Sequence, residues 1–258
     1  MASITWVLFH ELGHSAQEHG ITRDKHCPTD DDASDSNDTA NSSRAQTQEV
    51  NTKNKKLTYQ ESLIHHVTEL AADYEATCNV MFEIIRHSTD SEAKDTKPNW
   101  QIVFDNCYFM IIGIACTFYR FNNGVLPQSE LIPTGSHPNA FFRMEMTVRQ
   151  ICRQLRCLAE LHKYDIADRN ILVLAKQAAD LAAFYWYFVQ SDRNIDVTDL
   201  IVRGLTERPE FKEYTKEIIS TRDKLTPEIF EARHFGSILG FLHFDKEHRD
   251  YIFDSEPT

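Results

Sequence analysis

Apolar residues recur three and four positions apart over most of this chain, which predicts a mainly α fold. The first such stretch sets Ile4, Val7, Leu8 and Leu12 at helical spacing, with Ser3 as its cap and Gly20 as its stop. Periodicity returns at Leu57 and runs to about His87, with Leu63, Val67, Leu70, Tyr74, Cys78, Met81 and Ile85 along one broad apolar face. A polar connection from Asp90 to Pro98 then leads to the most hydrophobic segment, Trp100 to Tyr119. Its uninterrupted apolar run, Cys107 to Tyr119, is shorter than the roughly 18–20 residues of a membrane span, so it reads as a buried core helix. Asn122-Asn123-Gly124 reads as a turn, and Phe141-Phe142-Arg143 opens another helix. Further helices follow over Arg143–Tyr164, Asp168–Gln190, Asp196–Glu207, Pro209–Arg222 and Pro227–Phe244, with Asp168, Asp196 and Thr226 as cap candidates.

One segment breaks the pattern. Arg23 to about Lys56 is a run of Asp, Ser, Asn, Thr and Gln with scarcely an apolar residue, too polar to offset its own ordering entropy, and it reads as a mobile loop. The remainder is ordinary for a globular protein of 258 residues, with 41% hydrophobic and 26% charged side chains. A net charge of −12 with no basic stripe argues against nucleic acid as the main partner. Six cysteines form no CxxC pair and read as reduced, buried thiols. With no secretory signal at the N-terminus, the expected compartment is cytoplasmic. The aromatic run from Phe184 to Phe188 reads as a core or interface plug, and His234, His243 and His248 as structural residues.

The chemistry begins at His10-Glu11-Leu12-Gly13-His14, an HExxH motif. Residues four apart share a helix face, so both imidazoles can meet one metal while Glu11 faces a water on it. Zinc suits two neutral imidazoles and an open position, and it lowers the pKa of bound water to about 7. Gly13 costs a helix roughly 1 kcal/mol against alanine, which is easier to accept where another backbone must come close. Downstream, Glu69-Leu70-Ala71-Ala72-Asp73 sets two carboxylates one turn apart on an otherwise inward-turned helix. That spacing fits a third ligand, Glu69, and an orienting carboxylate, Asp73. His65 and His66 point about 100° apart, so at most one shares the face of Glu69, and they read as surface or lining residues. His137, beside Pro138 at the mouth of a helix, is placed to donate to an oxyanion, and Arg143 to pair with an acidic group near the metal.

Taken in order, His10-Glu11-x-x-His14, Glu69-x-x-Ala72-Asp73 and His137-Pro138-(x4)-Arg143 resemble the glutamate-zincin metallopeptidases over about residues 4 to 150. The mainly helical tail is similar to soluble bacterial zincins of the Lit type, phage-exclusion peptidases that cleave a translation elongation factor. The resemblance implies a zinc-dependent endopeptidase acting on a protein or peptide substrate. It makes His10, His14 and Glu69 the Zn2+ ligands, Glu11 the base, Asp73 the partner of a ligand histidine, and His137 with Arg143 the stabilisers of the tetrahedral intermediate. Zincins normally carry a β-sheet before the HExxH helix, whereas nine residues precede His10 here. The expectation is therefore an N-terminally truncated, zincin-like helical core with little or no β-sheet remaining. It would form one domain over residues 1–258, with the polar loop at 23–56 and a helical C-terminal half at 143–258. Two alternatives stand beside it: a non-catalytic regulatory or binding protein that retains the zinc site, and a membrane-embedded zinc protease.

Overall fold

The computed structural model describes residues 2–27, 57–89, 97–121, 135–190, 209–233 and 242–254. Among these residues the fold is helical, and the one β-type contact is an isolated antiparallel bridge between Thr89 and Pro98. The helices are α1 (Ala2–Ala16), α2 (His19–His26), α3 (Tyr59–Ser88), α4 (Trp100–Phe121), α5 (Ala140–Leu161), α6 (Asp168–Phe184), α7 (Pro209–Ala232) and α8 (Lys246–Asp254). A six-residue π-helical turn, Tyr185–Gln190, continues α6. The expected turn at Asn122-Asn123-Gly124 and the helix at Asp196–Glu207 lie outside the described residues, as does most of the polar 23–56 segment.

Five of the described helices pack around α3, while α6 packs on α4 and α5 and α8 on α7. Its start is fixed by a capping box in which the Thr58 hydroxyl accepts from the Glu61 backbone N–H while the Glu61 carboxylate accepts from that of Thr58. From Ser62 to Asp73 every residue is buried, because α1, α2, α4, α5 and α7 cover it from different sides. A helix enclosed in this way has no solvated face on which to place polar residues, so Glu69 and Asp73 must find partners inside. His65 and His66 are buried too, which rules out the surface position expected as one of two for them and leaves the lining one.

The remaining helices differ from expectation in ways that matter for the site. In α1 the inward residues are Trp6, His10 and Gly13, whereas Ile4, Leu8 and Leu12 are 76%, 58% and 51% exposed. The apolar stripe that announces this helix is thus its outer face. Neither Ser3 nor Gly20 bounds it: Ser3 lies within the first turn, and the chain breaks at Glu18, whose backbone is left-handed (φ 49°), before α2 takes in Gly20. Arg23 to His26, expected in the loop, form the second half of α2. The α4 helix buries Val103, Cys107, Met110, Ile111, Ile114 and Phe118 but leaves Ile102, Phe109 and Phe121 exposed. By length and composition alone it is long and apolar enough to cross a membrane.

Asp168 follows the cap position of α6 and pairs with Arg156, while Thr226 and Pro227 lie inside one continuous α7. The cysteines are all free, yet only Cys78, Cys107 and Cys152 are buried, and Cys157 is exposed. In the aromatic run Tyr187 is buried against Tyr119 and Phe141, whereas Phe184 and Tyr185 are exposed.

Candidate metal centre

The helix α1 lies along α3 with its small residue at the crossing. A Cβ on Gly13 would stand 3.3 Å from the Ala72 Cα, so the two backbones meet where neither residue carries bulk. That contact sets His10 and His14, one turn apart on the inner side of α1, directly over Glu69. The two Nε2 atoms are 3.2 Å apart; His14 Nε2 lies 3.2 Å from Glu69 Oε1, and His10 Nε2 lies 3.6 Å from Glu69 Oε2. One donor atom from each of the three residues falls within 4.8 Å of the others, a grouping that can hold a metal ion.

Around that triangle stands a second ring of groups. His10 Nδ1 lies 2.9 Å from Asp73 Oδ1, and Arg143 clamps the same carboxylate through Nε at 2.8 Å and Nη2 at 2.6 Å. The guanidinium also rests on the Phe118 ring, 4.3 Å from its centroid. Trp6 stacks on His10 with centroids 5.4 Å apart, its indole N–H donating to the Thr77 hydroxyl at 2.9 Å. His137 Nδ1 lies 2.9 Å from Glu69 Oε2 at the solvent side, where half of its side chain is exposed. Glu11 is exposed on α1, close enough for its charge to act on Arg143.

The structure therefore brings His10, His14, Glu69, Asp73, His137 and Arg143 into one cluster. Arg143 pairs with an acidic group beside the candidate metal position, as its spacing predicts, and that group is Asp73; the buried guanidinium is committed to this carboxylate rather than to the oxyanion role that the resemblance implies. The sequence reading missed three neighbours. Arg23 donates to Glu69 Oε1 and to the Thr68 hydroxyl, both at 2.9 Å; Trp6 and His19 are the others. Only Trp6 had a signal, its i, i+4 relation to His10.

Electrostatics divide the two histidines. Burial alone would lower the pKa of His10, but hydrogen bonding and charge from Asp73 and Glu69 outweigh it and raise the value to about 9. At His14 burial wins over Glu69 and the pKa falls to about 4. Burial likewise holds His19 well below its ordinary value. Burial opposes ionisation of Glu69 and Asp73, yet His14, His10 and His137 hold the first well below the carboxylate range, and Arg143 with His10 holds the second down. Both carboxylates are thus anions, and His10 carries a proton that an incoming metal must displace. We expect about one proton released per zinc ion bound near pH 7.5, read as a difference in calorimetric heat between buffers of different ionisation enthalpy.

Removing Arg143 should cost more than removing a surface cation. In Arg143→Met the Asp73 carboxylate stays buried with His10 as its main counter-charge, so we expect about 3–5 kcal/mol less stability in urea unfolding. A loss under 1 kcal/mol would show that water replaces the arginine.

Compared with known proteins, the chain matches no family model, no curated protein and no solved structure. The likeness to zincins accordingly rests on the motif residues.

Proposed function

We propose that the protein is a zinc-dependent endopeptidase that hydrolyses a peptide bond in a protein substrate, with His10, His14 and Glu69 as metal ligands. The observation that carries this reading is that one donor atom from each of the three residues lies within 4.8 Å of the others, with the two Nε2 atoms 3.2 Å apart and the two Glu69 oxygens 3.2 Å from His14 and 3.6 Å from His10. A tetrahedral zinc site with bonds of about 2.0–2.1 Å has ligand atoms about 3.3 Å apart. Two imidazole nitrogens and a carboxylate are also a donor set that zinc favours.

When bound, zinc supplies a Lewis acid and lowers the pKa of water to about 7. The chain's own residues do the rest. Glu11, between the two ligand histidines and facing solvent, takes a proton from the attacking water and returns it to the leaving amine. His137, half exposed beside Glu69, donates to the oxygen that gains charge. Asp73 and Arg143 touch no substrate; they hold the His10 ring in place.

In Glu11→Gln, zinc content should stay at one ion per chain while cleavage falls at least about 100-fold, the usual contribution of a general base. The readout is new N-termini generated in a cell extract by the zinc-loaded protein. Equal cleavage by the variant, or none by the native protein, rejects the reading.

One observation favours a second reading, a binding protein that keeps the site without hydrolysis. Glu69 already has charged contacts from Arg23 and Arg143 and a contact from His137, so part of its charge is offset without an ion, although its buried Oε2 accepts no hydrogen bond among the described residues. Zinc binding without any Glu11-dependent cleavage would favour this alternative.

A further inference from the structure

Beyond the cluster, a line of buried polar side chains runs from His14 away from the metal position. His14 Nδ1 lies 2.8 Å from His19 Nδ1. The other nitrogen of His19, Nε2, lies 3.1 Å from Gln17 Oε1. The Gln17 amide nitrogen then reaches Glu75 Oε2 at 2.5 Å and the Ala71 carbonyl oxygen at 3.5 Å. Gln17, His19 and Glu75 are all buried, and the left-handed turn at Glu18 is what folds His19 back onto His14.

Each contact allows one direction of donation, and the direction is set at the far end. The Glu75 carboxylate and the Ala71 carbonyl can only accept, so the Gln17 amide must turn its NH2 toward them and its oxygen toward His19. An oxygen facing His19 Nε2 requires a hydrogen there, which leaves His19 Nδ1 of the neutral ring as an acceptor. That nitrogen faces His14 Nδ1, which must then carry the hydrogen. The lone pair of His14 is thereby left on Nε2, where in the metal-free chain it accepts from His10 Nε2 at 3.2 Å, while Glu69 Oε1 takes its hydrogen bond from Arg23.

We propose that Glu75, Gln17 and His19 form a relay that fixes the tautomer and ring orientation of His14, presenting its Nε2 lone pair to the metal. The two ligand histidines are thus held differently: Asp73 takes His10 directly, whereas His14 is held through a neutral imidazole and an amide. This inference rests on the metal reading above for its purpose, but not for its geometry. His19, Gln17 and Glu75 are positioning residues.

The test has two independent readouts. In the metal-free protein, nitrogen-15 correlation spectra of the histidine rings should show His14 as the Nδ1–H tautomer, and in His19→Leu that preference should be lost. Zinc affinity, measured by competition with a chromophoric chelator, should fall about 10–100-fold in His19→Leu. In His19→Asn, whose side-chain oxygen can replace Nδ1 as acceptor, it should stay within about threefold of the native value, the rescue that a purely structural role of the ring would not produce. Gln17→Met should repeat the loss should His19→Leu fail to fold.

An Nε2–H tautomer at His14 in the native protein overturns the relay, as does a folded His19→Leu that binds zinc as tightly as the native chain. If the native protein takes up no zinc, the metal reading fails, and the tautomer spectrum alone decides the relay.

Discussion

Glu69→Ala should lose zinc almost completely. Structural zinc sites contribute about 10–16 kcal/mol through four ligands, or roughly 2.5–4 kcal/mol for each, so deleting one ligand predicts a Kd about 100- to 1000-fold weaker. The variant also strips the carboxylate from between His10, Arg23 and Arg143, leaving those positive groups facing one another beside the emptied position. Some of the loss would then reflect a disturbed site. Glu69→Gln separates the two effects, since it keeps the shape and can still accept a hydrogen bond while removing the charge. Zinc measured by mass spectrometry under native conditions, with urea unfolding of the metal-free forms alongside, gives both numbers. Equal zinc in the native chain and Glu69→Ala would remove Glu69 from the ligand set.

The second large effect is acid unfolding of the zinc-free protein driven by its buried histidines. His14 and His66 are lowered to about 4 and His65 to about 3, and His19 lies well below its ordinary value; in each case burial is the leading cause. A histidine with a depressed folded pKa contributes stability that is present above about pH 6.5 and lost as pH falls toward the folded value. Near pH 5 the unfolded chain therefore binds about four more histidine protons than the folded one, a slope on the order of 5 kcal/mol per pH unit. Against a typical total of about 5–15 kcal/mol, that predicts a midpoint between about pH 4 and 5.5.

His10 acts with the opposite sign. Its raised value means a contribution fully present below about pH 6.5 and lost as pH climbs through about 9. The zinc-free protein should be most stable near pH 6.5–7. Urea midpoints from pH 4 to 9 test both limbs, and a midpoint indifferent to pH between 5 and 7 would show that the buried histidines are hydrated.

Much of the cluster was legible in the sequence because it follows helical periodicity. His10 and His14 one turn apart, Glu69 and Asp73 one turn apart, and a glycine facing alanines all translate directly into two helices in close contact. Arg143 could be placed near an acidic group, though not on Asp73 in particular. What was not legible has three physical causes. Periodicity finds an apolar stripe without saying which way it faces, and in α1 the stripe of Ile4, Leu8 and Leu12 points outward while Trp6 and His10 point in. Composition averages over a window, so Arg23, the first residue of a polar run, was assigned to a loop although it closes over Glu69. And a left-handed residue that is not glycine, Glu18, carries no sequence mark, so the return of His19 onto His14 was invisible. Pro227 misled in the other direction, since α7 continues through it.

The crossing of α1 and α3 at Gly13 and Ala72 bears on how this protein can be improved. In an open helix, replacing glycine by alanine is a routine stabilising change worth about 1 kcal/mol. Here the added methyl would meet the Ala72 backbone at 3.3 Å, so the helices must separate by a few tenths of an ångström to admit it. His10 and His14 ride on one side of that gap and Glu69 on the other. Whether the fold gains from that methyl is therefore decided by how far the seam can give, and any opening of the seam would also widen the His10–His14–Glu69 triangle.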